Sequence, residues 1–392
     1  MQSDFNYLPQ DKIYLDSACQ SLRPQPVIDT LNEYYKEHNS CGERVKYKWG
    51  KITDEKVAST RTKVLKYLKL KPKDYFVSFT LNTTYGINLL LHQLDIKKAN
   101  IKTVVTSDIE HNSPFLSTIS FAKSHHLPRE VITRNKDGSI NPEDIPENSL
   151  VVVNCASNID GRRLVNIKEV VKKVHNTGGL IIIDAAQAMA HSSDILHKTE
   201  ADAICFSAHK MYAPSLGGII CRKDLLPCIK TTFLGGGMVD DVDLDSFQLS
   251  SENPDHIHTI FEPGLQAWGE IIALGSAIDW LLTLPKSAYK ELIFESEELF
   301  NFFQENPKFH LINHQPSPTI TVYVDKSELG YNSHTLGEAL GEEGIMARTG
   351  YFCVHYYLDH INHYPPLIRF SLGHHNTPEQ IQKLITRLSR LS

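Results

Sequence analysis

The chain has 392 residues, and its 40 basic and 46 acidic side chains give a formal net charge of −6 with histidines neutral. Apolar residue types make up 41% of it and charged types 22%, fractions that are typical of a folded globular protein and too apolar for a disordered one. The acidic excess argues against a nucleic-acid or anionic-membrane partner, because either would favour a basic surface.

The amino-terminal residues and the cysteines bear on the cellular compartment. Residues 1–12 contain no basic segment followed by an apolar one, so we expect no secretory signal. No run of the chain reaches the roughly 18 apolar residues of a membrane-spanning helix. The seven cysteines are odd in number and form no C-x-x-C pair, which favours neither a disulfide framework nor a cysteine-rich zinc site. We therefore expect a cytoplasmic protein without a membrane partner.

Between about residues 75 and 225, short apolar runs alternate with longer amphipathic ones. The short runs are rich in valine and isoleucine and lack strict alternation, which is typical of buried strands. They lie at 75–81, 102–107, 149–156, 179–186 and 201–208. Helices are predicted between them, for example at 83–94 and 166–179. Repeated strand–helix–strand units predict an α/β fold, in which a mostly parallel sheet is flanked by helices and ligands bind at the carboxyl ends of strands.

Beyond about residue 265 the pattern changes to one that predicts a smaller α+β domain. Helices are predicted at 269–284, 288–305 and 377–391, and shorter strands at 317–325 and 365–372. We therefore divide the chain into an amino-terminal segment near the active site, a large α/β domain and a small carboxyl-terminal domain. Their predicted bounds are 1–20, 21–265 and 266–392.

Two strand ends carry an acid and a lysine. Asp184 follows the apolar run Gly179–Ile183, and Lys210 follows the next strand. Asp184 alone would be an ordinary helix N-cap. A lysine at the end of a buried strand is unusual, since most lysines lie at the surface. Partial desolvation there lowers the pKa of the lysine, and the neutral amine can act as a nucleophile or a base. Together the two side chains are what pyridoxal phosphate requires, since the lysine forms a Schiff base and the acid keeps the ring nitrogen protonated.

The remaining strand ends supply groups that suit the same cofactor. Thr83 and Thr84 open a helix directly after a strand, where free N–H groups and hydroxyls can hold a phosphate, although simple capping is the alternative. Other side chains at strand ends that could add phosphate donors, stack on the ring or bond its phenolic oxygen are Ser207, His209, His111, Asn158 and Gln187. Each signal is weak alone, and their combination in this order indicates a cofactor site.

The order of these motifs resembles the class V aminotransferase family of fold-type I pyridoxal-phosphate enzymes, from Tyr14 to Glu379. Within that family the chain is most similar to the group II cysteine desulfurases and selenocysteine lyases. The motifs are T-T-x-x-x-N, E-H, S-N, D-x-A-Q, S-x-H-K, G-G-G-M, F-E-x-G, R-T-G-x-x-C and R-x-S-L. The resemblance implies a large domain built on a sheet of the seven-stranded type and a homodimer.

The resemblance also implies roles for the cofactor residues. Lys210 corresponds to the lysine that carries the cofactor, and Asp184 to the partner of the ring nitrogen. His111 is implied to stack on one face of the ring and to belong, with Lys210, to the catalytic residues, while Ala186 lies on the other face. The residues implied to contact the phenolic oxygen or the phosphate are Gln187, Asn158, Thr83, Thr84, Ser207 and His209.

Cys353, in the segment R-T-G-x-x-C, decides which reaction the resemblance implies. In desulfurases the corresponding cysteine attacks the substrate's sulfur and becomes a persulfide, a reaction that requires a thiolate. Arg369 is implied to bind the substrate carboxylate, and Arg348 is predicted as a second substrate-binding residue and, with His355, as a neighbour of Cys353. The alternative is that Cys353 is a small buried hydrophobe. Cys19 is assigned no role.

The implied activity is removal of sulfur or selenium from a cysteine-like amino acid, which gives alanine and a persulfide on Cys353 for an acceptor protein. One alternative is another class V reaction, such as transamination, epimerisation or C–S lysis, with Cys353 not catalytic. A non-catalytic protein that retains the fold is a second alternative. We expect no metal site, because His355, His360 and His363 do not have the spacing of a zinc motif.

Overall fold

The structure is a computed structural model that describes residues 2–43, 45–285 and 287–391. Its strands are β1 (Ile13–Tyr14), β2 (Tyr75–Thr80), β3 (Thr103–Ser107), β4 (Arg129–Ile132), β5 (Ser149–Asn154), β6 (Leu180–Asp184), β7 (Ala203–Ser207), β8 (Gly217–Arg222), β9 (Val239–Val242), β10 (Phe247–Leu249), β11 (His310–Leu311), β12 (Thr319–Tyr323), β13 (Ile345–Met346), β14 (Arg348–Gly350) and β15 (Leu367–Ser371). Its α-helices are α1 (Gln25–Glu37), α2 (Lys48–Tyr67), α3 (Thr83–Gln93), α4 (Asn112–His125), α5 (Ile167–Asn176), α6 (Ala188–His191), α7 (Trp268–Thr283), α8 (Ala288–Glu305), α9 (Lys326–Leu329), α10 (Ser333–Glu342) and α11 (Pro378–Leu391).

The main sheet has seven strands in the order β2-β8-β7-β6-β5-β3-β4. Strand β8 is antiparallel to both of its neighbours, and every other neighbouring pair is parallel. The mostly parallel, helix-flanked sheet predicted from the sequence is therefore confirmed, and the predicted runs coincide with β2, β3, β5, β6 and β7. In such a sheet the carboxyl ends of the parallel strands share one edge, which places the residues that follow them together.

The antiparallel strand β8 was not predicted, and its two leading glycines explain why. Glycine weakens a strand pattern, and here it permits close approach. A Cβ atom on Gly217 would lie 2.4 Å from the Cα of Asn82, and one on Gly218 would lie 2.4 Å from the ring of Phe206. Gly217 therefore lets β8 pack directly against the residue that precedes helix α3.

Four hydrophobic cores lie among the described residues. Two cover opposite faces of the main sheet, and the larger of these includes α7, which packs against α1 and α2. A third joins α8 and α11 to a four-stranded sheet in the order β11-β12-β15-β14. The fourth is small and includes Phe352, Val354 and Leu358. The predicted domain bounds stay a prediction, and α7 lies on the large-domain side of this packing. Within the described ranges, no helix combines the length and the apolar character needed to cross a membrane.

An aromatic cluster joins the amino-terminal segment to the large core on the main sheet. The rings of Phe5 and Trp280 meet edge to face at a centroid distance of 5.8 Å, and the ring of Tyr212 lies 4.9 Å from that of Trp280. His374 stacks on Tyr212 at 5.7 Å, and His375 donates a hydrogen bond from Nε2 to a backbone carbonyl. Burial lowers the pKa of both histidines to about 4, so both are neutral in the folded protein at pH 7.

We expect this cluster to make the fold sensitive to mild acid. Between pH 6.5 and 4 the unfolded chain protonates His374 and His375 whereas the folded protein does not, so stability is complete above pH 6.5 and falls as the pH drops through that window. Each histidine contributes a loss on the order of 3 kcal/mol. In urea unfolding at several pH values, the free energy of unfolding of His374→Phe should depend less on pH than that of the wild type. His360→Gln, at an exposed site, should follow the wild type. The same pH dependence in all three proteins would contradict this assignment.

Candidate active site

All of the site residues predicted from the sequence line one cavity of about 290 Å³. The cavity lies at the carboxyl-terminal edge of the main sheet, beyond β5, β6 and β7. The predicted residues that line it are Thr83, Thr84, His111, Asn158, Asp184, Ala186, Gln187, Ser207, His209, Lys210, Arg348, Cys353 and Arg369. The chain therefore brings these residues together from segments that are far apart in sequence.

An acid and an amine end two neighbouring strands. Asp184 is the last residue of β6 and pairs in parallel register with Cys205 of β7, and Lys210 lies in the turn that follows β7. Burial raises the pKa of the Asp184 carboxyl, while an N–H donated by Ala186 at 2.9 Å and the charge of Lys210 oppose that rise. Burial likewise lowers the pKa of Lys210, and Asp184 opposes it. The site thus holds an amine that gives up its proton readily and a carboxyl that gains from a cationic partner.

Hydroxyl groups gather at the amino terminus of helix α3. The side-chain oxygens of Thr83 and Ser207 lie 2.7 Å apart, and those of Thr84 and Ser113 lie 2.6 Å apart. Asn82 caps the helix by accepting a hydrogen bond from the Tyr85 N–H. Unpaired backbone N–H groups and hydroxyls at a helix amino terminus favour an anion such as a phosphate. Ser113 was not singled out from the sequence, although it lies only two residues after His111.

Two histidines in the cavity are neutral. His111 accepts a hydrogen bond from the Ser113 N–H at Nδ1, which assigns its proton to Nε2. Burial, Lys210 and Arg369 lower the pKa of His111 to about 3, and burial followed by Lys210 lowers that of His209 to about 4. An uncharged imidazole at His111 is suited to stacking on an aromatic ring.

Asn158 and Gln187 are engaged with the backbone of the segments that cover the cavity. Asn158 donates from Nδ2 to the carbonyl of Phe352 at 2.8 Å, and Gln187 donates from Nε2 to the carbonyl of Ala18 at 2.7 Å. Their predicted contact with a ring oxygen stays a prediction. The structure adds a second role, because each amide anchors the residue that precedes a cysteine.

Arg369 lies in β15 and is buried at the wall of the cavity. Its Nη2 donates to Asp16 at 3.0 Å, its Nη1 donates to the carbonyl of Asn158 at 2.9 Å, and its guanidinium lies 4.9 Å from the ring centroid of Phe352. Its buried Nε has no hydrogen-bond partner among the described residues. A guanidinium with a spare buried donor beside a cavity suits a carboxylate.

Cys353 is exposed at the cavity, so it is not the small buried hydrophobe that was the alternative. Phe352 and Cys353 both adopt left-handed backbone conformations, with φ of 48° and 58°. Such conformations are costly for residues with a Cβ, and surrounding bonds must impose them. The Asn112 N–H donates to the Cys353 carbonyl at 2.6 Å and the Val354 N–H to that of Tyr351 at 2.8 Å, which fix the turn.

Arg348 contacts a different cysteine from the one expected. Its Nη1 donates to the sulfur of Cys19 at 2.7 Å and lies 3.4 Å from Asp16. His355, the other expected neighbour of Cys353, instead lies 3.2 Å from the amide of Asn112. Sequence reasoning missed the contact with Cys19, whose available signal was its position next to the D-S-A segment that leads to the cavity.

The arrangement combines an amine, a buried acid, an anion cradle and a free guanidinium donor. Such a set can hold a phosphorylated aromatic aldehyde between the amine and the acid, with room for an amino acid whose carboxylate meets Arg369.

Comparisons with known proteins agree with this interpretation. The family model described as aminotransferase class-V matches residues 13–384. A cysteine desulfurase of Enterobacter sp. (strain 638) is 26% identical over 393 aligned positions, which cover 96% of this chain and 93% of that protein. The solved structure of a cysteine desulfurase from Escherichia coli, with an S-sulfonic acid, has a TM-score of 0.87 at 21% identity and covers 100% of this chain and 97% of its own. A C-DES mutant structure, in which glycine is covalently linked to the PLP cofactor, has a TM-score of 0.81 at 17% identity, with 99% of each chain covered.

Proposed function

Because the chain belongs to the class-V aminotransferase family, we propose that it is a pyridoxal-phosphate-dependent enzyme that removes sulfur from cysteine, giving alanine and a persulfide on Cys353. The observation that carries the proposal is the exposed Cys353, held in a left-handed turn at the cavity that Lys210 and Asp184 also line. The 26% identity to a cysteine desulfurase over nearly the whole chain supports it.

The donor set supports pyridoxal phosphate as the cofactor. The hydroxyls of Thr83, Thr84 and Ser207 at the start of α3 suit its phosphate, and the buried Asp184 carboxyl suits a protonated ring nitrogen. Lys210 provides the amine to which it attaches, and His111 provides a neutral ring to stack on it. When bound, pyridoxal phosphate withdraws electrons from the substrate, beginning at the α-carbon that bears the substrate's amino group.

Lys210 and Arg369 prepare the substrate in this proposal. Arg369 binds the α-carboxylate, for which its unpartnered Nε is a free donor. The Nζ of Lys210 accepts the proton from the α-carbon, and burial, which lowers the pKa of this amine, favours the neutral form that can accept it. By binding the α-carboxylate, Arg369 thus holds the substrate's α-carbon beside the Nζ of Lys210.

Cys353 then breaks the carbon–sulfur bond. Its thiolate attacks the substrate's sulfur, an S–S bond forms, and the bonding electrons of the Cβ–S bond pass to carbon, which takes up a proton. The carbon skeleton leaves as alanine and Cys353 keeps the sulfur as a persulfide. Selenocysteine would react in the same way.

The proposal also covers the binding partners of the protein and its cellular location. From the family resemblance we propose a homodimer and a sulfur-acceptor protein, and from the scattered cysteines a cytoplasmic location. The alternative within the family is an aminotransferase, epimerase or C–S lyase in which Cys353 is not catalytic. Product identification with cysteine, selenocysteine and cysteine sulfinate would separate these activities.

The proposed role of Cys353 predicts a selective loss of activity. We expect Cys353→Ala to lower sulfide release from cysteine on the order of 100-fold, because no thiol remains to take the sulfur. The cofactor absorbance of the variant should equal that of the wild type, since the cofactor contacts lie elsewhere in the cavity. Cys41→Ala is the matched control, because Cys41 is also exposed and lies outside the cavity.

Two outcomes would contradict the proposal in different ways. Unchanged sulfide release by Cys353→Ala would assign the chain to a reaction without a persulfide. A wild-type protein that stays colourless when mixed with pyridoxal phosphate would support the alternative of a non-catalytic protein with the same fold.

A further inference from the structure

A second cysteine lies at the cavity, and the proposed function does not use it. Cys19 and Cys353 both line the cavity, whereas Cys155, Cys205 and Cys221 are buried in the cores. A guanidinium N–H of Arg348 donates to the Cys19 sulfur at 2.7 Å. A guanidinium donor at this distance fixes the position of the sulfur at the cavity wall and can hydrogen-bond to it as it reacts.

Both cysteines are attached to the same edge of the main sheet. The carbonyl of Ala18, just before Cys19, accepts a hydrogen bond from Gln187. The carbonyl of Phe352, just before Cys353, accepts one from Asn158. Gln187 follows β6 and Asn158 follows β5, and these two strands are neighbours in parallel register. The two thiols are therefore held over the cavity from adjacent strand ends.

Two arginines lie at the cavity wall with the two cysteines. Arg348 lines the cavity together with both of them, donates to the Cys19 sulfur and lies 3.4 Å from Asp16. Arg369, whose buried Nε has no partner among the described residues, adds a second cation at the same wall and can offset the charge of an anionic sulfur there.

We propose that Cys19 is the first acceptor of the sulfur that Cys353 carries, so that the chain itself completes one step of sulfur transfer. The Cys19 thiolate attacks the terminal sulfur of the Cys353 persulfide. A new S–S bond forms on Cys19, the S–S bond on Cys353 breaks, and its electron pair leaves with Cys353 as a thiolate. The step consumes no oxidant or reductant, because the persulfide only changes position. Cys353 is then free for a second substrate molecule. This inference rests on the proposed desulfuration.

The stoichiometry of the first turnovers tests this transfer. With cysteine as substrate, no added thiol and rapid acid quenching, the wild type should release about two equivalents of alanine per chain in its burst, and Cys19→Ser about one. Cys41→Ser should keep the wild-type amplitude. Mass spectrometry after a second experiment, with sulfur-labelled cysteine and rapid alkylation, should find the label on the peptides of both Cys19 and Cys353 in the wild type. Cys19→Ala, checked for folding by circular dichroism, serves as the second variant.

The outcomes separate this inference from the proposed function. Label that reaches Cys353 but never Cys19, or an unchanged amplitude in both Cys19 variants, would overturn the transfer and leave desulfuration standing. Alanine formation by Cys353→Ala at the wild-type level would overturn the proposed persulfide on Cys353, and with it the source of the transferred sulfur. Loss of the second equivalent in both Cys19 variants, with label on Cys19 in the wild type, would establish the transfer.

Discussion

Replacing Lys210 with alanine is expected to lower alanine formation from cysteine by at least about 10⁴-fold, the largest effect of any substitution in this chain. Lys210 both attaches the cofactor and moves the substrate's α-proton in the proposed function, so one substitution removes two roles. Its environment explains why no neighbour replaces it. His111 and His209, with pKa values of about 3 and 4, are too weakly basic to hold the α-proton, and Arg369 cannot lose a proton at neutral pH.

The measurement for Lys210 combines kinetics with chemical labelling. Borohydride reduction of the cofactor-loaded wild type, followed by peptide mass analysis, should place the cofactor on Lys210. Lys172→Ala, which changes an exposed lysine on α5, should keep both the activity and the labelled peptide. Label on another lysine, or activity in Lys210→Ala within 100-fold of the wild type, would contradict the assigned role.

Replacing Asp184 with asparagine is expected to lower turnover on the order of 10³-fold without unfolding the protein. The amide keeps an oxygen that can accept the hydrogen bond from the Ala186 N–H, so the local geometry is retained. In the proposed function, the group that is lost is the charge that stabilises a protonated ring nitrogen. Because burial raises the pKa of Asp184, its charge costs free energy in the folded protein, and the cofactor-free variant should unfold within about 1 kcal/mol of the wild type.

Turnover and urea unfolding together decide this prediction. Asp194→Asn, at an exposed acid that pairs with Arg163, is the control and should change turnover little. A variant at Asp184 that loses activity only because it unfolds would show a large drop in the free energy of unfolding. A variant that is stable and keeps more than a tenth of the wild-type turnover would show that the carboxylate has no electronic role.

Asp16 has a consequence for the entry of substrate. It accepts a hydrogen bond from Arg369 at 3.0 Å and lies 3.4 Å from Arg348, so it partly neutralises the two cations at the cavity wall. In the proposed function, a substrate carboxylate therefore meets an arginine that is already oriented by an acid, and the Nε of Arg369 is one donor that has no partner among the described residues. This orientation reduces the freedom that Arg369 would lose on binding.

The pattern of residues along the chain was enough to predict the main sheet and the set of residues at its edge. Buried parallel strands are short, apolar and bounded by turn residues, so β5, β6 and β7 could be located from local runs of apolar residues. The residues that end or follow two of these strands are Asp184 and Lys210. This works because the register of neighbouring parallel strands brings their carboxyl ends to one edge whatever the side chains are. The pattern was weaker where glycine replaced branched residues, and β8 was missed for that reason.

Which of these residues touch one another depends on the packing of the folded chain and could not be predicted. The contact of Arg348 with Cys19 joins residues at opposite ends of the chain, and no spacing rule relates them. The amides of Asn158 and Gln187 bind backbone carbonyls, which carry no signal in a sequence. The left-handed turn at Cys353 depends on hydrogen bonds from another segment. Contacts of this kind are set by how separate elements pack, and that packing follows from the whole core rather than from any local pattern.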